Sequence, residues 1–130
     1  MKKKYEDNPN SIKYHMKRFL LTHQARFKNK IVVDVPAGNG VTSRLLKDIG
    51  AIPLAFDLFP EYFTETDIEC KRADIMEQLP IDKQSADVVI CQEGIEHFTD
   101  QFKVMVEFNR VLKQHGSLII TTPNYSNLRS

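Results

Sequence analysis

The sequence has no tryptophan, two cysteines, and no apolar run approaching the roughly 20 residues that a membrane-spanning helix needs. Its amino-terminal segment lacks the apolar core of a secretion signal. Cys70 and Cys91 form no paired motif and have no metal-ligand spacing, which excludes a disulfide framework and a cysteine-based zinc site. Cys91 ends the apolar run that begins at Val88, so we interpret it as a small core residue. These absences favour a reduced cytoplasmic protein without a membrane partner.

An excess of either charge is also missing, because 18 basic and 17 acidic residues give a formal net charge of +1. Without a global field, the chain offers little attraction to nucleic acid or to acidic lipids. The one basic run, Lys2–Lys4, is typical of a solvated terminus. What is present is a globular composition, 42% apolar and 27% charged, in a chain of 130 residues. That length fits a single domain with one core.

Periodic apolar residues and short β-branched runs predict alternating helices and strands. The helices are predicted over about 8–28, 41–49 and 100–115, and the strands over about 31–35, 52–57, 70–73, 87–91 and 117–122. Asn8 is the predicted cap of the first helix, with Pro9 in its first turn, and Gly50 is the predicted stop of the second. The alternation is typical of βαβ units and predicts an α/β fold with a mostly parallel sheet.

Two details of this scheme concern packing. Pro53 lies near the start of the second predicted strand, where a missing N–H suits a strand start or a sheet edge. The last helix is predicted to end at His115-Gly116 and to turn an apolar face inward. That face includes Phe102, Met105, Val106 and Val111-Leu112.

Polar or glycine-rich sequence follows four of the predicted strands. Asp34 and the glycines of the 38–40 turn follow the first strand, Asp57 the second, Asp74 the third, and Gln92-Glu93 the fourth. Ligands of open parallel sheets bind outside the carboxyl ends of the strands. Glycine there lets the backbone turn sharply and approach a ligand closely. The pattern therefore predicts a nucleoside-type ligand at this edge.

Charge separates the candidate ligands better than the glycines do. A dinucleotide would place its pyrophosphate near the Asp34 carboxylate, at a cost of about 4 kcal/mol at an intermediate dielectric. S-adenosylmethionine has no phosphate, and its sulfonium and ammonium groups are attracted by acids. A phosphate-binding P-loop is excluded because no Gly-Lys-Ser/Thr follows the glycines. The acids at three successive strand ends thus favour S-adenosylmethionine.

Four segments resemble, in order and spacing, the motifs of class I S-adenosylmethionine-dependent methyltransferases. They are Val32-Val-Asp-Val-Pro-Ala-Gly-Asn-Gly40, Arg72-Ala-Asp-Ile75, Ala86-Asp-Val-Val-Ile-Cys-Gln-Glu-Gly-Ile-Glu-His97 and the stretch from Asn109 to Pro123. Two positions depart from the family pattern. Pro36 replaces the first glycine of the loop motif, and His115-Gly116 replaces the usual Gly-Gly turn.

The resemblance implies a cofactor site made from the loop motif, the acids and the end of the fourth strand. Asp34 and the loop would meet the methionine moiety, Asp57 the ribose hydroxyls, Asp74 with Ile75 the adenine, and Gln92 the open side of the cofactor. The full set comprises Asp34, Pro36, Ala37, Gly38, Asn39, Gly40, Asp57, Leu58, Asp74, Ile75, Gln92 and Glu93.

The resemblance also implies a Rossmann-like, mostly parallel sheet of about five strands with flanking helices, lacking the usual last two strands. We expect one cofactor-binding domain over residues 1–130, incomplete at its carboxyl end, with the helix within 1–30 packed on it. An open sheet edge would invite pairing with a second copy, so we expect a homo-dimer.

The implied activity is methyl transfer to an oxygen or nitrogen atom of a small-molecule acceptor, without a nucleic-acid substrate. A shortened domain could instead be a non-catalytic module that only binds the cofactor or a partner. An NAD-dependent oxidoreductase is a third, more distant alternative.

Glu93, Glu96 and His97 lie just past the fourth predicted strand and have three interpretations. They could make structural hydrogen bonds, or His97 with Glu96 could act as the general base for the acceptor. All three could also bind a divalent cation, since a Glu-x-x-Glu-His segment binds one in the similar quinone-biosynthesis O-methyltransferases.

The metal interpretation predicts that magnesium or zinc raises the melting temperature of the wild-type protein but not of His97→Ala. A bound cation stabilises only the folded state that holds it, so the shift should grow with metal concentration. Thermal unfolding of both proteins, with and without each metal, is the measurement. Identical responses of the two proteins would rule out a cation held by His97.

Overall fold

The protein, described from a computed structural model, forms a five-stranded parallel sheet with helices on both faces. The structure describes residues 5–9, 11–92 and 98–121. The strand order is β3-β2-β1-β4-β5, which confirms the predicted Rossmann-like α/β fold. The strands are β1 Ile31–Asp34, β2 Ile52–Asp57, β3 Cys70–Arg72, β4 Ala86–Gln92 and β5 Leu112–Thr121.

In the described ranges, four helices flank the sheet, together with two short 3₁₀ turns, Tyr5–Asp7 and Pro60–Tyr62. The helices are α1 Ile12–Thr22, α2 Gln24–Phe27, α3 Val41–Asp48 and α4 Gln101–Val111. None of the helices in the described ranges is long and apolar enough to span a bilayer.

Alternation of side chains along the strands divides the apolar core into two layers. Val32 and Ile90 face α1 and α3, where they join Met16, Leu20, Leu45 and Leu46. Val33 and Val89 point to the opposite face and meet the inner residues of α4. The central strands are therefore buried on both faces, as continuous apolar runs in parallel strands predict.

The first helix begins later than predicted. Ser11, not Asn8, is its cap, and the Ser11 hydroxyl accepts a hydrogen bond from the Tyr14 N–H at 3.1 Å. Pro9 lies in the preceding turn, and the helical stripe is interrupted at His23 between α1 and α2. A serine before a helical run caps as well as asparagine does.

The inward face of α4 differs from the prediction. Phe102 is 79% exposed and Met105 and Val106 also face solvent, whereas Val104 and Phe108 are fully buried. Val111 is buried, as predicted. Apolar residues lie on nearly every side of this helix, so periodicity alone could not select the buried face.

The transition from α4 to β5 also differs from the prediction. The helix ends at Val111, and Leu112 already pairs with Ala86 of β4. The next pairing joins Val88 to Ser117, so the four residues 113–116 bulge out of the ladder. His115 has a φ of +68°, and its turn with Gly116 lies inside this bulge rather than at the end of the helix.

Pro53 lies in β2, where it pairs with Val32 of β1 on the inner side. The outer neighbour, β3, pairs only with Ala55–Asp57. A proline on the open part of an edge removes the N–H that another strand could use. This arrangement fits the strand-start or edge position expected from the sequence.

Candidate cofactor site

The turn after β1 is fixed between the two neighbouring strands. The Val35 N–H donates to the Ile90 carbonyl at 3.1 Å, and the Ala37 N–H donates to the Phe56 carbonyl at 2.9 Å. Pro36, which follows a cis peptide bond, lies between these two anchors. The backbone of the turn is thus held by β4 on one side and by β2 on the other.

Gly38 and Gly40 both have positive φ angles, +57° and +98°, but their surroundings differ. A Cβ on Gly38 would have nothing within 4 Å, so this glycine borders open space. A Cβ on Gly40 would lie 2.9 Å from Phe63 Cε2 and from Glu65 Cγ. Gly38 can therefore approach a ligand closely, whereas Gly40 is required by packing within the protein.

Asp57 at the end of β2 joins two segments. Its Oδ2 accepts a hydrogen bond from the Gly38 N–H at 2.8 Å, and its Oδ1 accepts one from the Phe59 N–H at 2.9 Å. Each carboxylate oxygen can accept two hydrogen bonds, so one acceptor position on each oxygen is left by these contacts. The acid predicted to hold ribose hydroxyls is thereby aligned from both sides.

Asp34 at the end of β1 is 1% exposed and accepts a hydrogen bond from the Ser43 hydroxyl at 2.7 Å. Burial raises the pKa of the Asp34 carboxyl to about 6, although Lys13 and the Ser43 hydrogen bond act in the opposite direction. The side chain is therefore mostly ionised at neutral pH. It supplies a desolvated negative charge beside the turn, which attracts a cationic group.

Gln92 at the end of β4 is 4% exposed, and its Nε2 donates to the Thr42 hydroxyl at 2.6 Å. The Lys13 ammonium from α1 donates to the same hydroxyl at 3.4 Å. Among the described residues, the Gln92 Oε1 and the hydroxyl of Thr121, its register partner on β5, have no hydrogen-bond partner. Two buried polar atoms at neighbouring strand ends thus have no hydrogen-bond partner within residues 5–9, 11–92 and 98–121.

Asp74 and Ile75 follow β3 and shape their own turn. The Asp74 Oδ1 accepts from the Met76 N–H at 2.9 Å, and the Asp74 carbonyl accepts from the Glu77 N–H at 2.9 Å. Ile75 is buried, while Leu58 after β2 is exposed. The assignment of these residues to the adenine stays a prediction.

The segment after Asp57 is attached to the glycine turn and to α3. The Thr64 N–H and hydroxyl both donate to the Asn39 carbonyl at 3.0 Å. Arg44 of α3 lies 3.8 Å from the Glu65 carboxylate and also pairs with the buried Glu6 of the amino-terminal turn. These contacts connect the segment after Asp57 with the glycine turn, with α3 and, through Arg44, with the amino-terminal turn.

Two predicted functions lie on residues that the structure does not describe. Glu93, Glu96 and His97 fall in the gap between 92 and 98, so their roles as base or metal ligands stay predictions. Within the described ranges, no group of three histidine, cysteine or acidic side chains could hold a metal ion.

The sequence did not identify Lys13, Thr42 or Phe63 as part of this region. Lys13 reaches the site from α1, and Phe63 packs on Gly40 across 23 positions of the sequence. A lysine on a polar helix face and a phenylalanine in a connection carry no local signal of such contacts. Only the aromatic cluster of residues 59–63, so close to a strand-end acid, could have drawn attention to the segment.

The chain is similar to several known proteins. A family described as a methyltransferase domain matches residues 33–120. A probable S-adenosylmethionine-dependent methyltransferase of Mycolicibacterium smegmatis is 28% identical over 103 residues, which cover 76% of this chain and 40% of that protein. A ubiquinone biosynthesis O-methyltransferase of Coxiella burnetii is 29% identical over 126 residues, which cover 90% of this chain and 51% of that protein.

A solved structure of a Pyrococcus horikoshii protein is also similar, with a TM-score of 0.71 and 26% identity. The match covers 85% of this chain and 58% of that one. The chain thus spans about half the length of the curated relatives it matches.

The buried Asp34 generates a prediction about stability and pH. Because its folded-state pKa of about 6 exceeds the ordinary 3.8, the native state holds a proton that the unfolded chain releases between those pH values. Ionised Asp34 therefore destabilises the fold above pH 6. Asp34→Asn should raise the free energy of unfolding at pH 7.5 by about 1 to 3 kcal/mol, while weakening the binding of S-adenosylhomocysteine.

Urea unfolding of both proteins at pH 4 and pH 7.5 measures this effect. At pH 4 the wild-type carboxyl is largely protonated, so the stabilisation by asparagine should be much smaller there. An equal difference at both pH values would show that Asp34 is not the titrating group.

Proposed function

The chain belongs to the methyltransferase-domain family, and from that premise we propose that it transfers a methyl group from S-adenosylmethionine to an oxygen or nitrogen atom of a small molecule. The single observation that carries the proposal is the pair of acids at the ends of β1 and β2, aligned on a turn that opens to solvent at Gly38. S-adenosylmethionine would supply the methyl group from its sulfonium, with the neutral thioether S-adenosylhomocysteine as the leaving group.

The described residues fit this cofactor at its ribose. Each Asp57 oxygen makes one backbone hydrogen bond, which leaves an acceptor position on each for the two vicinal hydroxyls. The open side of Gly38 supplies the space next to this acid. Leu58, Ile75 and the remaining Asp74 oxygen then form our proposed surroundings of the adenine.

The amino-acid part of the cofactor carries an ammonium and a carboxylate. Asp34 offers a buried negative charge, and Lys13 offers an ammonium group held over the start of α3 by Thr42. We assign Asp34 to the ammonium side and Lys13 to the carboxylate side, since opposite charges then meet at both ends. Asn39 and Ala37 contribute backbone groups of the same turn.

The acceptor would lie on the β4 and β5 side of the site. The Gln92 Oε1, which has no partner in the described part of the chain, can accept a hydrogen bond from an O–H or N–H group, and the Thr121 hydroxyl lies at the neighbouring strand end. An acceptor with such a donor would be oriented before transfer, and alignment supplies much of the rate of such reactions. Glu93, Glu96 and His97 remain our candidates for removing its proton or holding a cation.

The sequence has two cysteines and no paired cysteine motif, which fits a reducing compartment, and we include a cytoplasmic location in the proposal. The nearly balanced charge of the chain supports a small-molecule acceptor rather than nucleic acid.

Substitution of Gly38 tests the cofactor site. A Cβ at Gly38 meets no protein atom but enters the space that we assign to the cofactor, so Gly38→Ala should weaken S-adenosylhomocysteine binding at least tenfold. Gly50→Ala is the matched control, because Gly50 also has a positive φ, +92°, but lies at the far end of α3. Isothermal titration calorimetry should show its affinity within twofold of wild type.

Equal losses in the two glycine variants would attribute the effect to backbone strain and contradict the assignment. An assay of methyl transfer to a panel of hydroxyl and amine acceptors then tests turnover, with the formation of S-adenosylhomocysteine as the readout. Tight cofactor binding with no product from any acceptor would favour the non-catalytic module over the enzyme.

The open edge of β5 supports the proposed homo-dimer. Within the described part of the chain, β5 pairs only with β4, and Leu118, Ile119 and Ile120 are only half-buried. Such an edge exposes a row of backbone groups to a second copy. Light scattering at high protein concentration should give the mass of a dimer, and Ile119→Lys should shift it towards the monomer. A monomer throughout the concentration range would contradict pairing through this edge.

A further inference from the structure

The bulge in β5 places polar side chains at the amino-terminal edge of the sheet, opposite the candidate cofactor site. Two steps along β4, from Ala86 to Val88, correspond to five steps along β5, from Leu112 to Ser117. Bulges redirect the side chains of the strand that contains them. The turn inside the bulge is tightly packed, because a Cβ on Gly116 would lie 2.9 Å from the Lys113 carbonyl oxygen.

A cavity of about 190 Å³ lies at this edge, between the bulge and the segment that leads from α2 to β1. Its polar lining includes Arg26, Lys30, Asp87, Lys113, His115 and Ser117. Sites for drug-sized ligands usually measure about 300 to 1,000 Å³, so this cavity suits a smaller polar group.

Positive charge prevails around the cavity. Asp87 is its one acid, and both of its oxygens are engaged, by the Ile31 N–H at 2.9 Å and by the Lys113 ammonium at 3.3 Å. Arg26 and Lys30 make no side-chain hydrogen bond or ion pair with any described residue. Three cations and one acid leave a local charge of +2, in a chain whose formal total is +1.

We propose that this cavity binds a phosphate group, either as inorganic phosphate or as the terminal group of a phosphomonoester. A dianion would neutralise the local charge, whereas a carboxylate would leave half of it unpaired. The Arg26 guanidinium can bind two phosphate oxygens at once, and Lys30 adds a point charge beside it. The Ser117 hydroxyl, at the end of the bulge, is a further donor to the same group.

The site does not depend on the proposed methyl transfer. It lies at the amino ends of β1, β4 and β5, whereas Asp34, Gln92 and Thr121 lie at their carboxyl ends. The four residues of β1 alone span about 13 Å, which is too far for a phosphate to contact both edges. The proposed phosphate site is therefore a second site on the same domain.

Calorimetric titration with sodium phosphate at fixed ionic strength and pH tests the proposal. The double variant Arg26→Gln/Lys30→Gln should bind phosphate at least tenfold more weakly than wild type. Lys83→Gln/Lys103→Gln is the charge-matched control, since both of these lysines are exposed and lie outside the cavity, and its affinity should stay within twofold. Binding of S-adenosylhomocysteine should be the same in all three proteins.

Phenyl phosphate and sodium chloride complete the experiment. Tighter binding of phenyl phosphate than of phosphate would identify a phosphomonoester as the ligand, and equal binding would identify the free ion. Equal losses in the two double variants, an equal response to chloride, or no binding of either phosphate by wild type would each overturn the proposal.

Discussion

The hydrogen bond from the Gly38 N–H to the Asp57 carboxylate connects the turn after β1 with the end of β2. It requires a left-handed backbone at Gly38, and it holds the acid together with a second bond from Phe59. Because the cofactor that we propose would contact both segments, their relative position is important for the proposed site. The order of the strands brings these ends together, and this bond keeps them there.

The Asp34 carboxylate, in contrast to this hydrogen bond, destabilises the fold when it is ionised. Its burial raises its pKa, so the charge that we assign to ligand binding opposes folding at neutral pH. Lys13 offsets part of that cost, and it can do so only while α1 is packed against α3. The ion pair between Glu6 and Arg44 joins the amino-terminal turn to α3, and the same arginine lies beside Glu65. The amino-terminal elements thus belong to the electrostatics of the site.

Much of this fold could be predicted from the sequence because its signals are local. The bounds of β2, the stop at Gly50 and the acids at or just after the ends of the first three strands all follow from neighbouring residues. The buried face of α4 could not be predicted, since Phe102 and Phe108 are equally apolar and only the sheet distinguishes them. Contacts between distant segments, such as Lys13 with Thr42, leave no pattern in a single sequence. The sequence therefore predicted the strand-end residues of the candidate site, but not the residues of other segments that surround them.

The packing of Phe63 explains why position 40 requires a glycine, which the loop motif alone does not explain. The Phe63 ring occupies the position that a side chain on Gly40 would take, so the size of the residue at 63 limits the size of the residue at 40. A larger residue at position 40 would therefore need both a smaller residue at position 63 and a different backbone conformation, because Gly40 has a φ of +98°. A glycine in a ligand-binding motif can thus be required by contacts within the protein rather than by contact with the ligand.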